Sequence, residues 1–149
     1  MIAHQCFVDS NIIIYAHDHQ ETKKQPIAKQ HLNSFWEAAP LLPFISIQVL
    51  QECFSVLTRK RVPFEHAQAI IELYCQWNVV EHDKEVLLEG IRIKHKYQLS
   101  IWDAFIVSAA KKAKAKYILT EDFGLQQEYE GIKVINPFKE GELSGGSGV

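Results

Sequence analysis

The sequence predicts an α/β fold built on a mainly parallel sheet covered on both faces, and three observations lead there. Short apolar segments alternate with segments of helical periodicity along most of the 149 residues. The apolar segments are too continuous to leave one face wet, the pattern of strands buried from both sides. A composition of 47% hydrophobic and 23% charged residues suits one globular domain with a substantial core.

Each element follows from local chemistry. QCFVD reads as a short buried strand, and a helix can start at Ser10 or Asn11, both good N-cap types. Pro26 to Ala38 is expected to be helical. LLPFIS, Leu41 to Ser46, is a second strand, whose Pro43 suggests an irregular or edge position. In IQVLQECFSVLTRKR the residues Ile47, Leu50, Cys53, Phe54 and Leu57 fall on one helix face, and Val62-Pro63 ends that helix. A helix from Phe64 to about Gln76, the strand WNVVE, helices from Asp83 to about Tyr97 and from Ile101 to Ala113, and the strands KYILT and IKVIN complete the pattern. Residues 1–140 form the expected domain; 141–149, rich in Gly and Ser, are expected to be a flexible tail with nothing to bury.

Charge and cysteine usage narrow the setting. A net charge of −2 excludes a strongly basic tail while leaving room for basic patches. No apolar run reaches membrane-spanning length, and MIAHQ is not the start of a secretory signal, so a cytoplasmic protein is expected. Cys6, Cys53 and Cys75 lie in apolar segments without a CxxC pair and are read as reduced core residues.

The acids carry the functional signal. In an open parallel sheet, strand C-ends and helix N-termini share one rim, where ligands bind. Asp9 closes the first strand, Asp122 follows the strand ending at Thr120, Asp103 sits in the first turn of a helix opened by Ser100, and Glu52 lies one to two turns beyond Ser46. Each acid also has a plain structural reading. Asp9 can cap a helix, Asp103 completes a capping box with Ser100, Asp122 fits a polar turn, and Glu52 lies opposite the apolar stripe and could face water. Asp103 is harder to set aside, because IWDAFIVSAA is apolar almost all round and so predicts burial. Two carboxylates 4 Å apart repel by about 4 kcal/mol at an effective dielectric of 20, so such a group recruits a cation or a proton. All-oxygen ligands select Mg²⁺ or Mn²⁺ over zinc.

FVDSNIIIYA, SIQVLQEC, LSIWDAFIVSAA, and ILTEDF followed by GIKVINPF resemble, in this order, the motifs of PIN-domain ribonucleases of the VapC toxin type. The resemblance covers roughly Cys6 to Phe138. It implies a PIN-like three-layer α/β/α fold with about five strands, a homodimer, and a cognate antitoxin that occludes the active groove. It also implies that Asp9, Glu52, Asp103 and Asp122 are the catalytic and metal-binding quartet, with Ser10, Asn11 and Thr120 as supporting polar residues. Glu121 could share the role of Asp122. The implied activity is Mg²⁺- or Mn²⁺-dependent hydrolysis of RNA to 5′-phosphate and 3′-hydroxyl ends.

For the RNA surface, excluding the four acids leaves the remainder at a formal +2. Candidate phosphate contacts are Arg59, Lys60, Arg61, Lys94 and Lys96, and the KKAKAK run beginning at Lys111, although cations at helix C-termini also complement the dipole, the preferred reading for KKAKAK. Trp36, Trp77 and Trp102, among apolar neighbours, are read as core or interface rather than stacking platforms. His17-Asp18-His19 is read as a solvated turn. Three alternatives compete. A catalytically degenerate PIN domain would act as an RNA-binding or protein-interaction module, which the full set of acids disfavours. A haloacid dehalogenase-like phosphatase would use Asp9 as nucleophile but wants a second Asp where Asn11 stands. A receiver domain wants an acidic pair at the first strand, where Asp9 stands alone.

Overall fold

A computed structural model describes residues 1–121, 123 and 127–139 of the chain. Among these, six strands and six helices follow one another. They begin with β1 (Cys6–Val8), α1 (Ser10–Ala16), α2 (Lys24–Glu37), β2 (Phe44–Ser46), α3 (Ile47–Arg59) and α4 (Phe64–Tyr74). They continue with β3 (Asn78–Val80), α5 (Lys84–Tyr97), α6 (Ile101–Lys112), β4 (Tyr117–Leu119), β5 (Glu128–Tyr129) and β6 (Ile132–Ile135). The sheet runs β3-β2-β1-β4-β6-β5, parallel throughout except for the β5–β6 hairpin.

Burial explains why these short strands hold. All three residues of β1 and all three of β4 are buried, which requires cover on both faces of the sheet. Ile12 and Ile13 of α1, Val49 and Cys53 of α3, and Ala104 and Val107 of α6 supply fully buried side chains to that cover. Side-chain caps start α3, α5 and α6. Ser46 accepts from the Val49 amide at 3.2 Å, Asp83 from Val86 at 2.9 Å, and Ser100 from Asp103 at 3.1 Å. Helices α5 and α6 approach closely at Gly90 of α5, where an added Cβ would lie 2.4 Å from Cδ1 of Phe105 on α6.

Several sequence expectations change. The sheet has six strands rather than about five, because β5 is only two residues long and leaves no periodicity to read. Its turn has a clear physical basis: Glu130 (φ 52°) and Gly131 (φ 80°) both take positive φ, as a two-residue I′ turn requires. Strand β2 is internal, between β1 and β3; Pro43 precedes it, lacking only a donor while its carbonyl accepts from the Asn78 amide at 3.1 Å. Helix α1 begins at Ser10, as expected, but its N-cap is Asp9, the plain structural reading of that acid, rather than Ser10 or Asn11. Cys6 and Cys53 are buried as expected, but Cys75 is exposed at the end of α4. Nor is His17-Asp18-His19 a solvated turn, since Asp18 is buried and paired with Lys60, and the His17 ring lies 2.9 Å from the Tyr74 hydroxyl. No helix among the described residues is long and apolar enough to cross a membrane. The expected tail, 141–149, lies outside the described residues.

Candidate active site

The strand order places β1 between β2 and β4, so the chain leaves β1 in one direction and returns on its other side. That reversal opens a crevice at the strand C-ends. Asp9 stands at this point, its amide donating to the Leu119 carbonyl of β4 at 3.0 Å. Its carboxylate is buried and doubly held: Oδ1 accepts from the Ser10 amide at 2.7 Å and Oδ2 from the Thr120 hydroxyl at 2.8 Å. Burial is the main cause that lifts the Asp9 carboxyl from 3.8 to about 6. The two hydrogen bonds oppose the rise, and the charges of Glu52 and Asp103 add to it. Both acids therefore lie within electrostatic reach of Asp9, although they come from α3 and α6.

Glu52 does not turn to open water. Ser10 Oγ donates to its Oε2 at 2.9 Å and Gln48 Nε2 to its Oε1 at 2.9 Å. The same Gln48 nitrogen donates to the Trp102 carbonyl at 3.1 Å, joining α3 to the first turn of α6 beside Asp103. Gln48 is 7% exposed, and sequence reasoning overlooked it. Its i, i+4 spacing from Glu52 was the available signal.

Asn11 and Thr120 form a second bridge over the crevice. Asn11 Nδ2 donates to Thr120 Oγ1 at 3.0 Å, and Asn11 Oδ1 accepts from the Glu121 amide at 3.2 Å. Glu121 itself points toward α1 and α2, where its carboxylate accepts from Tyr15 and pairs with Lys24. Both of its oxygens are thus engaged away from Asp9. Asp122 lies outside the described residues.

The oxygen-only donor set suits Mg²⁺ or Mn²⁺, and a carboxylate whose charge is disfavoured first by burial and then by Glu52 and Asp103 is one that a divalent cation stabilises. Among the described residues, no group of three or more His, Cys, Asp or Glu side chains is placed to hold a metal ion. Three site acids are described and one is not.

A family model described as PIN domain matches residues 6–130. The chain belongs to the PIN domain family. Solved structures with the same fold include FitAB bound to a DNA fragment, at 18% identity and TM-score 0.68, covering 90% of this chain and 96% of that one. A toxin–antitoxin complex from Klebsiella pneumoniae is similar at 20% identity and TM-score 0.63, with 89% and 97% covered. The sarcin-ricin loop cleaving toxin VapC20 of Mycobacterium tuberculosis is similar at 17% identity and TM-score 0.58, with 86% and 98% covered. No curated protein matches by sequence.

The basic residues of this PIN domain divide. Arg59, Arg61 and Lys94 are exposed, whereas Lys60 pairs with Asp18, and Lys96 with Glu130 at 3.0 Å. In the KKAKAK run, Lys111 and Lys112 stand in the last turn of α6, as the helix-dipole reading anticipated, and in addition Lys111 pairs with Glu89 and Glu130 and Lys112 with Asp83. Trp77 is buried and Trp36 packs against the core, whereas Trp102 is 62% exposed and so lies outside the core.

Proposed function

We propose that this PIN domain is a metal-dependent endoribonuclease and the toxin member of a toxin–antitoxin pair. The observation that carries this reading is the hydrogen-bonded chain at the strand ends, in which Ser10 bonds both Asp9 and Glu52, and Gln48 bonds both Glu52 and the Trp102 carbonyl next to Asp103. Asp9 and Asp103 would hold Mg²⁺ or Mn²⁺, with Glu52 and Asp122 binding a second ion or ordering the attacking water. When bound, the cation polarises the phosphate, acidifies water and stabilises developing charge.

The chain's own residues orient the acids. Thr120 and the Ser10 amide hold Asp9 in one rotamer, and Ser10 and Gln48 aim Glu52. In-line attack of water forms a new P–O bond and breaks the P–O3′ bond, leaving a 5′-phosphate and a 3′-hydroxyl that has gained a proton. Likeness to toxins caught with antitoxin or DNA supports a cognate antitoxin as partner. A cytoplasmic homodimer acting on RNA completes the proposal, with Arg59, Lys60, Arg61, Lys94 and Lys96 as candidate backbone contacts.

End-mapping of total RNA after incubation with the purified protein and Mn²⁺ tests this. Cleavage that stops in EDTA and in Asp9→Asn, with 5′-phosphate ends, is expected. Full activity in EDTA, 2′,3′-cyclic phosphate ends, or an Asp9→Asn protein that cuts at the parental rate overturns it.

A further inference from the structure

Trp102 is the residue before Asp103 in the first turn of α6, and its indole is 62% exposed. The ring is braced from beneath. It meets Phe105 edge-on, with centroids 5.9 Å apart, and Phe105 meets His82 edge-on at 4.6 Å. Phe105 in turn fills the space left by the missing Cβ of Gly90. These rings form one wall of a cleft of about 570 Å³ that Ile47, Gln48 and Gln51 of α3 close from the other side.

The chemistry of the cleft selects its occupant. None of its lining residues is Lys or Arg, so it does not grip a phosphate. It offers a flat aromatic face with amide and carboxylate side chains, Gln51 and Glu81, at its edges, which suits an uncharged planar ring carrying hydrogen-bonding groups. Gln48 joins the cleft to the acids, since one nitrogen bonds both Glu52 and the Trp102 carbonyl. Trp102 thus stands one residue from Asp103, and its carbonyl shares the Gln48 nitrogen with Glu52.

We propose that Trp102 is a stacking platform for the nucleobase of single-stranded RNA next to the scissile phosphate. The proposal rests on the nuclease reading above and adds a base subsite to it.

Tryptophan emission of the Asp9→Asn protein, titrated without divalent ions with hexauridylate, hexaadenylate and an abasic ribose-phosphate hexamer, tests the platform. Both base-bearing oligomers are expected to quench the emission and to shield it from acrylamide; the abasic one is not. Adding Trp102→Leu to that protein should remove the quench and weaken binding about tenfold, with partial rescue by Trp102→Phe. In the active protein with Mn²⁺, Trp102→Leu should raise KM about tenfold, with the smaller change in kcat. Equal quenching by the abasic oligomer, unchanged affinity of the Leu variant, or quenching that follows protein concentration without RNA overturns the platform. RNA cleavage by the parent with an unaltered KM in Trp102→Leu rejects the platform alone. Base-dependent quenching in a protein that never cuts RNA rejects the nuclease reading alone.

Discussion

The Thr120 hydroxyl donates to Asp9 Oδ2 at 2.8 Å, tying the first residue beyond β4 to the first residue beyond β1. Thr120 is fully buried and its oxygen also accepts from Asn11 Nδ2 at 3.0 Å. Thr120→Val keeps the shape but leaves Asn11 and Asp9 each short of a partner. A stability loss of about 1–3 kcal/mol is expected. Because the lost hydrogen bond held the Asp9 pKa down, the acid limb of the cleavage pH profile should also move to higher pH. Denaturant melts and a pH–rate series measure the two effects.

The contribution of Asp9 to stability without divalent ions should rise on acidification, against an opposite contribution from His17 and His31, whose pKa values burial lowers. The Asp9 pKa is higher folded, about 6, than its ordinary 3.8, so between those values the folded state binds the extra proton. Stability from this group is therefore greatest below about pH 4 and falls as pH climbs through 6, by about 3 kcal/mol in all. Urea titrations at pH 5 and pH 7 in EDTA should show that slope as the difference between the parent and Asp9→Asn. Saturating Mn²⁺ should flatten it.

Gln48→Leu removes the nitrogen shared by Glu52 and the Trp102 carbonyl. The apolar replacement nearly matches its volume, so a stability cost of about 1 kcal/mol is expected from the two unmet acceptors. Cleavage should fall at least tenfold, because Glu52 keeps only Ser10 to aim it. Single-turnover kinetics beside a melting curve separate the two consequences.

At Gly90 an alanine would place its Cβ 2.4 Å from Phe105 Cδ1, and Phe105 is 7% exposed with little room to retreat. Overpacking of this kind costs about 1–3 kcal/mol. Thermal unfolding of Gly90→Ala should show that loss, and Gly90→Ala with Phe105→Leu should recover part of it.

Lys24→Met should be mild. The residue is about one-third exposed, and Tyr15 still donates to Glu121 after the cation is gone, so a loss of at most about 1 kcal/mol is expected. The loss should shrink in the parent as salt rises, which paired melts at low and high ionic strength would detect.

Local pattern was enough to determine the alternation of strands and helices, the starts of α3, α5 and α6, and where Asp9, Glu52 and Asp103 fall along them. Ser46, Asp83 and Ser100 cap where their hydroxyl or carboxylate chemistry says they should, and β1 and β4 are buried as their unbroken apolar runs require. Periodicity could not find β5, whose two residues are defined by pairing with β6 and by a turn of two positive φ angles. Nor could it orient side chains. Glu52, Gln48 and Trp102 lie on helices whose sequence gives a face but not a partner. The packing of α3 against the crevice turned Glu52 inward, and the close seat of Phe105 on Gly90 belongs to the α5–α6 contact that frames the exposed Trp102. Which groups stand near a helix end is a one-dimensional question, answered by spacing. Which carboxylate shares a hydrogen bond with which distant amide depends on contacts across the chain, and only tertiary packing decides it.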